Sequence, residues 1–205
     1  MQNLKWFAKH TKRSLSASEM RAVEVNTEAL GVSSREMMEM AGYAVAMHVR
    51  RLFKNAKNIL VVCGNGNNGG DGFVAARMLE NSYRVTVALI GSNEEIRKEP
   101  AAQEFKELAT ANPFVSIIEN AEEVMGNLCS QNDIIIDAIF GTGFHGALKH
   151  NAEIAIRKIN ESKKPVVAVD VPSGLDATTG NEKNAVKAKY TITFYKLKTG
   201  LLGSK

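Results

Sequence analysis

From Asn58 onward the sequence alternates short β-branched runs with helical stretches, and this alternation constrains the fold more than any other feature. The runs are "NILVVC", "RVTVALI", "FVSII", "DIIIDAIF", "PVVAVDV" and "YTITF". Between them, helical patterning predicts helices near 70–81, 93–110, 121–129 and 149–162. Runs that are apolar on both faces and separated by helices belong to a parallel sheet covered on both sides. The expected fold is therefore α/β: a three-layer α/β/α Rossmann-like sandwich with a mostly parallel sheet. Two helices precede it. "LSASEM" sets Ser16 and Glu19 in a capping box with Leu15 and Met20 as staple, "VSSREM" repeats the device with Ser33, Glu36, Val32 and Met37, and Gly31 stands where the first helix should stop.

No linker or internal repeat divides the 205 residues, so residues 1–205 read as a single domain. No apolar run approaches the ~18 residues of a membrane span, and "MQNLKWFAKHTKRSLS" lacks the apolar segment of a secretory signal. A cytoplasmic location without membrane association is expected. Cys63 and Cys129 form neither a metal spacing nor a disulfide framework and read as buried thiols. The net charge of +4 is mild, and its lysines and arginines are scattered among acids rather than gathered in a stripe with aromatics. Nucleic acid is not an expected partner.

In such sheets ligands bind beyond the carboxyl ends of the strands, so the chemistry is sought in the loops that follow the runs. Three of them are unusual: "GNGNNGGDG", "DAIFGTGFHG" and "DVPSGLDATTG". In the first, Gly64, Gly66 and Gly69 fit a dinucleotide pattern, and the next helix's first amides offer a phosphate site. Yet the second run closes as "ALIGSN", with no acid at its tip to grip a ribose, which argues against the usual adenosine pose. Asn67, Asn68 and Asp71 instead add side-chain oxygens suited to a polar ring or a hard cation; as an alternative they are turn residues, with Asp71 capping a helix.

In the second loop Asp137 ends an apolar strand, where burial demands a cation or hydrogen bonds, or else makes it an N-cap. Gly141, Gly143 and Gly146 form a second backbone cradle for phosphate, and His145 within it reads first as exposed. In the third, Asp170 emerges from the strand end beside Ser173 and Gly174 and is the leading acid/base candidate. Asp176 and Gly180 look like turn chemistry.

Together these loops resemble the YjeF N-terminal domain family, whose enzymatic members are NAD(P)H-hydrate epimerases; "GNGNNGGDG", "DAIFGTG" and "DVPSGLD" stand in the family's order and spacing. The resemblance covers nearly the whole chain, to "TITFYKLKTGL". One departure is "MEMAG", with Met40 where the family usually has asparagine.

The resemblance implies an isomerase of nicotinamide nucleotide repair that interconverts the R and S forms of hydrated NADH or NADPH. It assigns substrate contacts to Asn67, Asn68, Gly69, Gly70 and Asp71, and to the loop Gly141, Thr142, Gly143, Phe144, His145, Gly146 and Ala147. Asp170 would face the hydrated ring as the catalytic residue, and one potassium ion per subunit would take oxygen ligands from Asn68, Asp137 and Ser173. Implied partners are a second copy of the chain, as a homodimer, and functionally a NAD(P)H-hydrate dehydratase. Two other readings stand beside this one: a non-catalytic YjeF N-terminal binding or scaffold module, and an ordinary nucleotide-dependent oxidoreductase.

Overall fold

The computed structural model describes residues 14–111, 114–182 and 184–202, so the reading of residues 1–13 and the last three residues lie outside it. In chain order the elements are β1 (Ser14–Leu15), α1 (Ala17–Ala29), α2 (Ser34–Leu52), β2 (Asn58–Cys63), α3 (Asn67–Leu79), β3 (Arg84–Leu89), α4 (Ala101–Ala111), β4 (Ser116–Ile118), α5 (Met125–Gln131), β5 (Ile134–Ala138), α6 (His150–Glu161), β6 (Val166–Val169), β7 (Tyr190–Ile192) and β8 (Leu197–Lys198). Both capping boxes are present, with Ser16 and Ser33 accepting from the amides of Glu19 and Glu36. Gly31, at φ +97°, closes α1 in a Schellman turn: its own amide bonds the Glu28 carbonyl and the Val32 amide bonds Thr27.

Six strands form one sheet in the order β4-β3-β2-β5-β6-β7, with every neighbouring pair parallel. This is the doubly wound order, whose topological switch lies between β2 and β5. The side chains of β2 show why the sheet needs two covers. Ile59, Val61 and Cys63 pack with Val45, Val49, Phe73 and Leu79 of α2 and α3, while Leu60 and Val62 pack with Met125, Leu128, Ala155 and Ile156 of α5 and α6. The expected three-layer sandwich with two leading helices is the observed fold.

Several boundaries differ from expectation. The third helix runs from Asn67 to Leu79, beginning three residues before the expected start at 70, so most of the "GNGNNGGDG" loop is helical. The predicted helix 93–110 is two pieces, a 3-10 turn at Asn93–Glu95 and α4 from Ala101, because Pro100 cannot continue a helix from the residue before it. Likewise 121–129 divides into a 3-10 turn and α5. A second, two-stranded parallel sheet pairs Leu15 of β1 with Lys198 of β8 and was not anticipated.

On the flank of the sheet, Glu104 of α4 is fully buried and accepts from Arg35 of α2 at 2.8 Å and Arg77 of α3 at 3.0 Å. Arg77 also meets Glu39 at 2.5 Å, and Arg35 meets Glu107. The acids Glu39, Glu104 and Glu107 thus come together, but two guanidinium groups already balance them.

Candidate functional site

At the switch point β2 and β5 end side by side, the Gly64 amide bonding the Ala138 carbonyl at 3.1 Å, and the loops beyond them diverge. Gly66 is the N-cap of α3 and supplies no side chain to the helix's first amides. A Cβ on Gly66 would meet nothing within 4 Å, so the space beside this N-cap is open. Gly69 is required for packing instead: a Cβ there would run into the Gly64 carbonyl oxygen. Asn and Gly are poor helix formers, and this close packing is what holds Asn67 to Gly70 in a helical turn.

Asn68 is buried, and its amide nitrogen has no hydrogen-bond partner among the described residues. Its Oδ1 lies 2.9 Å from where a Cβ on Gly141 would stand, so the first and second loops touch here. The second and third loops join through Asp137 and Ser173. Asp137 is 0% exposed and accepts from the Ser173 amide at 2.8 Å, the Ser173 hydroxyl at 2.6 Å and the Ile139 amide at 3.3 Å. Ser173 in turn accepts from the Phe140 amide at 2.8 Å. Burial pushes the Asp137 carboxyl up to about 6, opposed by these hydrogen bonds. Asp137 caps no helix, since α6 starts only at His150.

Thr142 to Ala147 form an exposed or half-exposed stretch over the strand ends, where Phe144 stacks on Phe140 with centroids 5.1 Å apart. His145 is exposed and reaches Asp176 at 3.5 Å. Asp176 is a turn residue as expected, accepting from the amides of Thr178 and Thr179 at 2.9 and 2.8 Å, and the latter bond leads in holding its carboxyl below the usual range.

Asp170 directly follows β6, in the left-handed region at φ +66°, and is 8% exposed. The residue it meets is one that the sequence reading missed. Lys198 of β8, with a side chain 1% exposed, places Nζ 2.5 Å from Asp170 Oδ1, and Thr193 donates to the same oxygen at 3.2 Å. Asp71 joins this group from α3. It sits in the second turn of the helix rather than capping it, half-buried, and burial together with Asp170 and Glu24 pushes its carboxyl well above the usual range. Another acid escaped the sequence reading: Glu95, on the 3-10 turn after β3, accepts from Asn65 of the first loop at 3.0 Å. Met40 stands 60% exposed on α2. Cys63 and Cys129 are buried free thiols, both pushed up by burial, Cys129 to about 11.

No helix among the described residues is long and apolar enough to cross a membrane. A family model described as "YjeF-related protein N-terminus" matches residues 34–200. The chain is 44% identical over 195 residues to the bifunctional NAD(P)H-hydrate repair enzyme Nnr of Pyrobaculum aerophilum, an alignment covering 92% of this chain and 38% of that protein. It is 36% identical over 191 residues to the NAD(P)H-hydrate epimerase of Nitrosopumilus maritimus, covering 91% and 87% respectively. The crystal structure of the yeast protein ynu0 superposes with a TM-score of 0.80 at 26% identity, covering 95% of this chain and 85% of that one. The chain thus spans well under half the length of the bifunctional relatives it matches.

Proposed function

The chain belongs to the family of YjeF-related protein N-terminal domains, and from that membership we propose that it is an NAD(P)H-hydrate epimerase, an isomerase interconverting the R and S forms of hydrated NADH and NADPH. The observation that carries this reading is the junction of the three loops. There, Asn68 abuts Gly141, Phe140 bonds Ser173, Ser173 bonds Asp137, and the buried amide nitrogen of Asn68 is left over for a ligand oxygen. An orphaned buried donor costs about 1–3 kcal/mol, which a bound acceptor would recover.

Asn67 to Asp71 and Gly141 to Ala147 would bind the hydrate, its phosphates taking the open amides at the start of α3 and the glycine cradle after β5. Asp170 would face the ring. The residues also fit a potassium ion. Asn68, Asp137 and Ser173 offer an amide oxygen, a carboxylate and a hydroxyl with no soft ligand, and only hydrogen bonds, no cationic side chain, oppose the effect of burial on the Asp137 carboxyl. Such an ion would supply the positive charge that keeps Asp137 ionised and the loops joined.

The hydrate carries its hydroxyl on the carbon beside the ring nitrogen. The nitrogen lone pair can expel that hydroxyl, leaving a planar iminium to which water returns on either face, with Asp170 beside the ring for proton transfer. No redox step is involved. The greater length of the bifunctional relatives supports functional pairing with a NAD(P)H-hydrate dehydratase; a homodimer belongs to the same proposal and is checked by sedimentation. The central experiment incubates the protein with purified R hydrate in potassium buffer and follows the S form by chromatography. Conversion faster than the spontaneous rate is expected. Binding without acceleration would leave a scaffold module.

A further inference from the structure

Epimerisation through a planar iminium needs a donor for the departing hydroxyl and an acceptor for the incoming water, and one carboxyl cannot serve both faces at once. The neighbours of Asp170 fit it for one of these tasks. Besides Asp170, Lys198 Nζ donates to Thr193 Oγ1 at 3.0 Å and to the Phe194 carbonyl at 2.9 Å. Three acceptors use three N–H bonds, the inventory of an ammonium and one more than a neutral amine possesses. Asp170 is the counter-ion within 2.5 Å. Both bonds to Asp170, from Lys198 and from Thr193, fall on Oδ1, and neither engages Oδ2.

Asp71 has the opposite surroundings. It lies beyond the first turn of α3, where the helix dipole would favour an anion. Gly72, whose absent Cβ would stand 2.7 Å from Ala138 Cβ and Cys63 Sγ, presses this turn onto the strand ends. No described residue donates a hydrogen bond to the Asp71 carboxyl, and the charged groups facing it are Asp170, Glu24 of α1 and Lys198, with the Cys63 thiol below. Burial is the largest influence, the two acids add to it, and Lys198 opposes them; the carboxyl is thereby held well above the usual range. Glu24 is pushed up as well, by partial desolvation and then by Asp170.

We propose that Asp71 is a second catalytic residue, the general acid for the departing hydroxyl, that Asp170 is the base for the incoming water, and that Lys198 is the positioning residue that holds Asp170 by its Oδ1. This assignment rests on the epimerase reading. In the step, the ring nitrogen lone pair forms the C=N bond as the C–O bond breaks, and the Asp71 proton leaves with the oxygen as water. A second water then adds to the other face, its C–O bond forms, the C=N pair returns to nitrogen, and its proton goes to Asp170 Oδ2. One proton passes from Asp71 to Asp170 and returns through solvent, and nothing is oxidised or reduced. Two carboxyls in unlike surroundings are the usual basis of paired acid and base roles.

The test compares pH–rate profiles of R-hydrate epimerisation for the wild type, Asp71→Asn and Lys198→Met, alongside melting temperatures and the infrared band of a protonated carboxyl. Asp71→Asn should lower kcat about 100-fold or more with KM little changed, abolish the alkaline limb, and remove a carboxyl band seen in the wild type at neutral pH. Lys198→Met should lower kcat with KM little changed, a split that loss of structure alone would not produce; Lys198→Gln replaces it if the apolar variant does not fold. Wild-type turnover with an unchanged Asp71→Asn profile, or a carboxyl band of undiminished intensity in that variant, overturns the assignment alone. A wild type that binds the hydrate and does not epimerise it overturns the assignment together with the epimerase reading.

Discussion

Ser173 engages both oxygens of Asp137, its amide donating to Oδ2 at 2.8 Å and its hydroxyl to Oδ1 at 2.6 Å. The pair ties the turn after β6 to the end of β5, and it does so inside the protein, with both residues 0% exposed. The hydrogen bonds do not fully replace the water that Asp137 has lost, since its carboxyl rises from 3.8 to about 6.

The first prediction follows from that rise. An acid whose folded value is raised stabilises the fold in its protonated form: the contribution is full below 3.8, fades as pH climbs through about 6, and is absent above. The shift corresponds to about 3 kcal/mol. In potassium-free buffer the wild-type Tm should therefore fall across this window, and Asp137→Asn should flatten the fall. Potassium should raise the wild-type Tm more above pH ~6 than below ~4 and leave the variant unchanged. A wild-type Tm indifferent to potassium at neutral pH would remove the ion from this site.

Two glycines in one loop should behave oppositely. Gly66→Ala adds a methyl group to open space at an ordinary φ of −109°, so it should cost about 1 kcal/mol or less in a urea melt. The same methyl group enters the open space beside the start of α3, where a phosphate would sit, and should weaken hydrate binding measured by calorimetry. Gly69→Ala drives its Cβ into the Gly64 carbonyl, which is backbone and cannot swing aside, so stability should drop by about 1–3 kcal/mol or more. Wild-type affinity in Gly66→Ala would place the phosphates elsewhere.

Asp170→Asn should remain folded, because asparagine tolerates the left-handed conformation at φ +66° as aspartate does. It removes the proton acceptor and leaves the buried Lys198 ammonium without its counter-ion. Epimerisation should fall by about 100- to 10,000-fold. Circular dichroism checks the fold and chromatography the turnover. Near-normal turnover would take Asp170 out of the mechanism.

Much of this architecture is legible in the sequence because strands buried on both faces leave a continuous apolar record. "NILVVC" is β2 residue for residue, and both Ser–Glu capping boxes form as their spacing predicts. Legibility fails where tertiary packing overrides local preference. Asn67, Asn68, Gly69 and Gly70 have low helix propensity and are helical because their backbone packs on Gly64 and Met38. Lys198 was hidden for a similar reason. In "YKLKTG" the alternation places Leu197 inside and the lysines outside, yet Leu197 is 45% exposed and Lys198 is buried. The inversion is set by Asp170, 28 residues earlier, an ion pair that no local pattern records. Glu95 was missed because it returns to Asn65 from the turn beyond β3 instead of sitting at the strand's tip.

The last prediction separates the epimerase from a redox enzyme on the same doubly wound sheet. A dehydrogenase of this topology grips a ribose with an acid at the tip of the second strand, and here Ile90 and Gly91 occupy that tip. Glu95 comes near, but Asn65 already donates to its Oε2 and the Ser92 amide reaches its Oε1 at 3.5 Å. What the cleft does concentrate is proton chemistry, with Asp170, Asp71 and Lys198 grouped where the strands end. A hydrated nicotinamide ring offers these groups a hydroxyl to protonate and expel, whereas an intact ring has none. The protein should therefore accelerate conversion of the R hydrate and show no absorbance loss from intact NADH with a small carbonyl acceptor present. NADH oxidation in that assay would restore the oxidoreductase reading and require Glu95 to exchange Asn65 for a ribose hydroxyl.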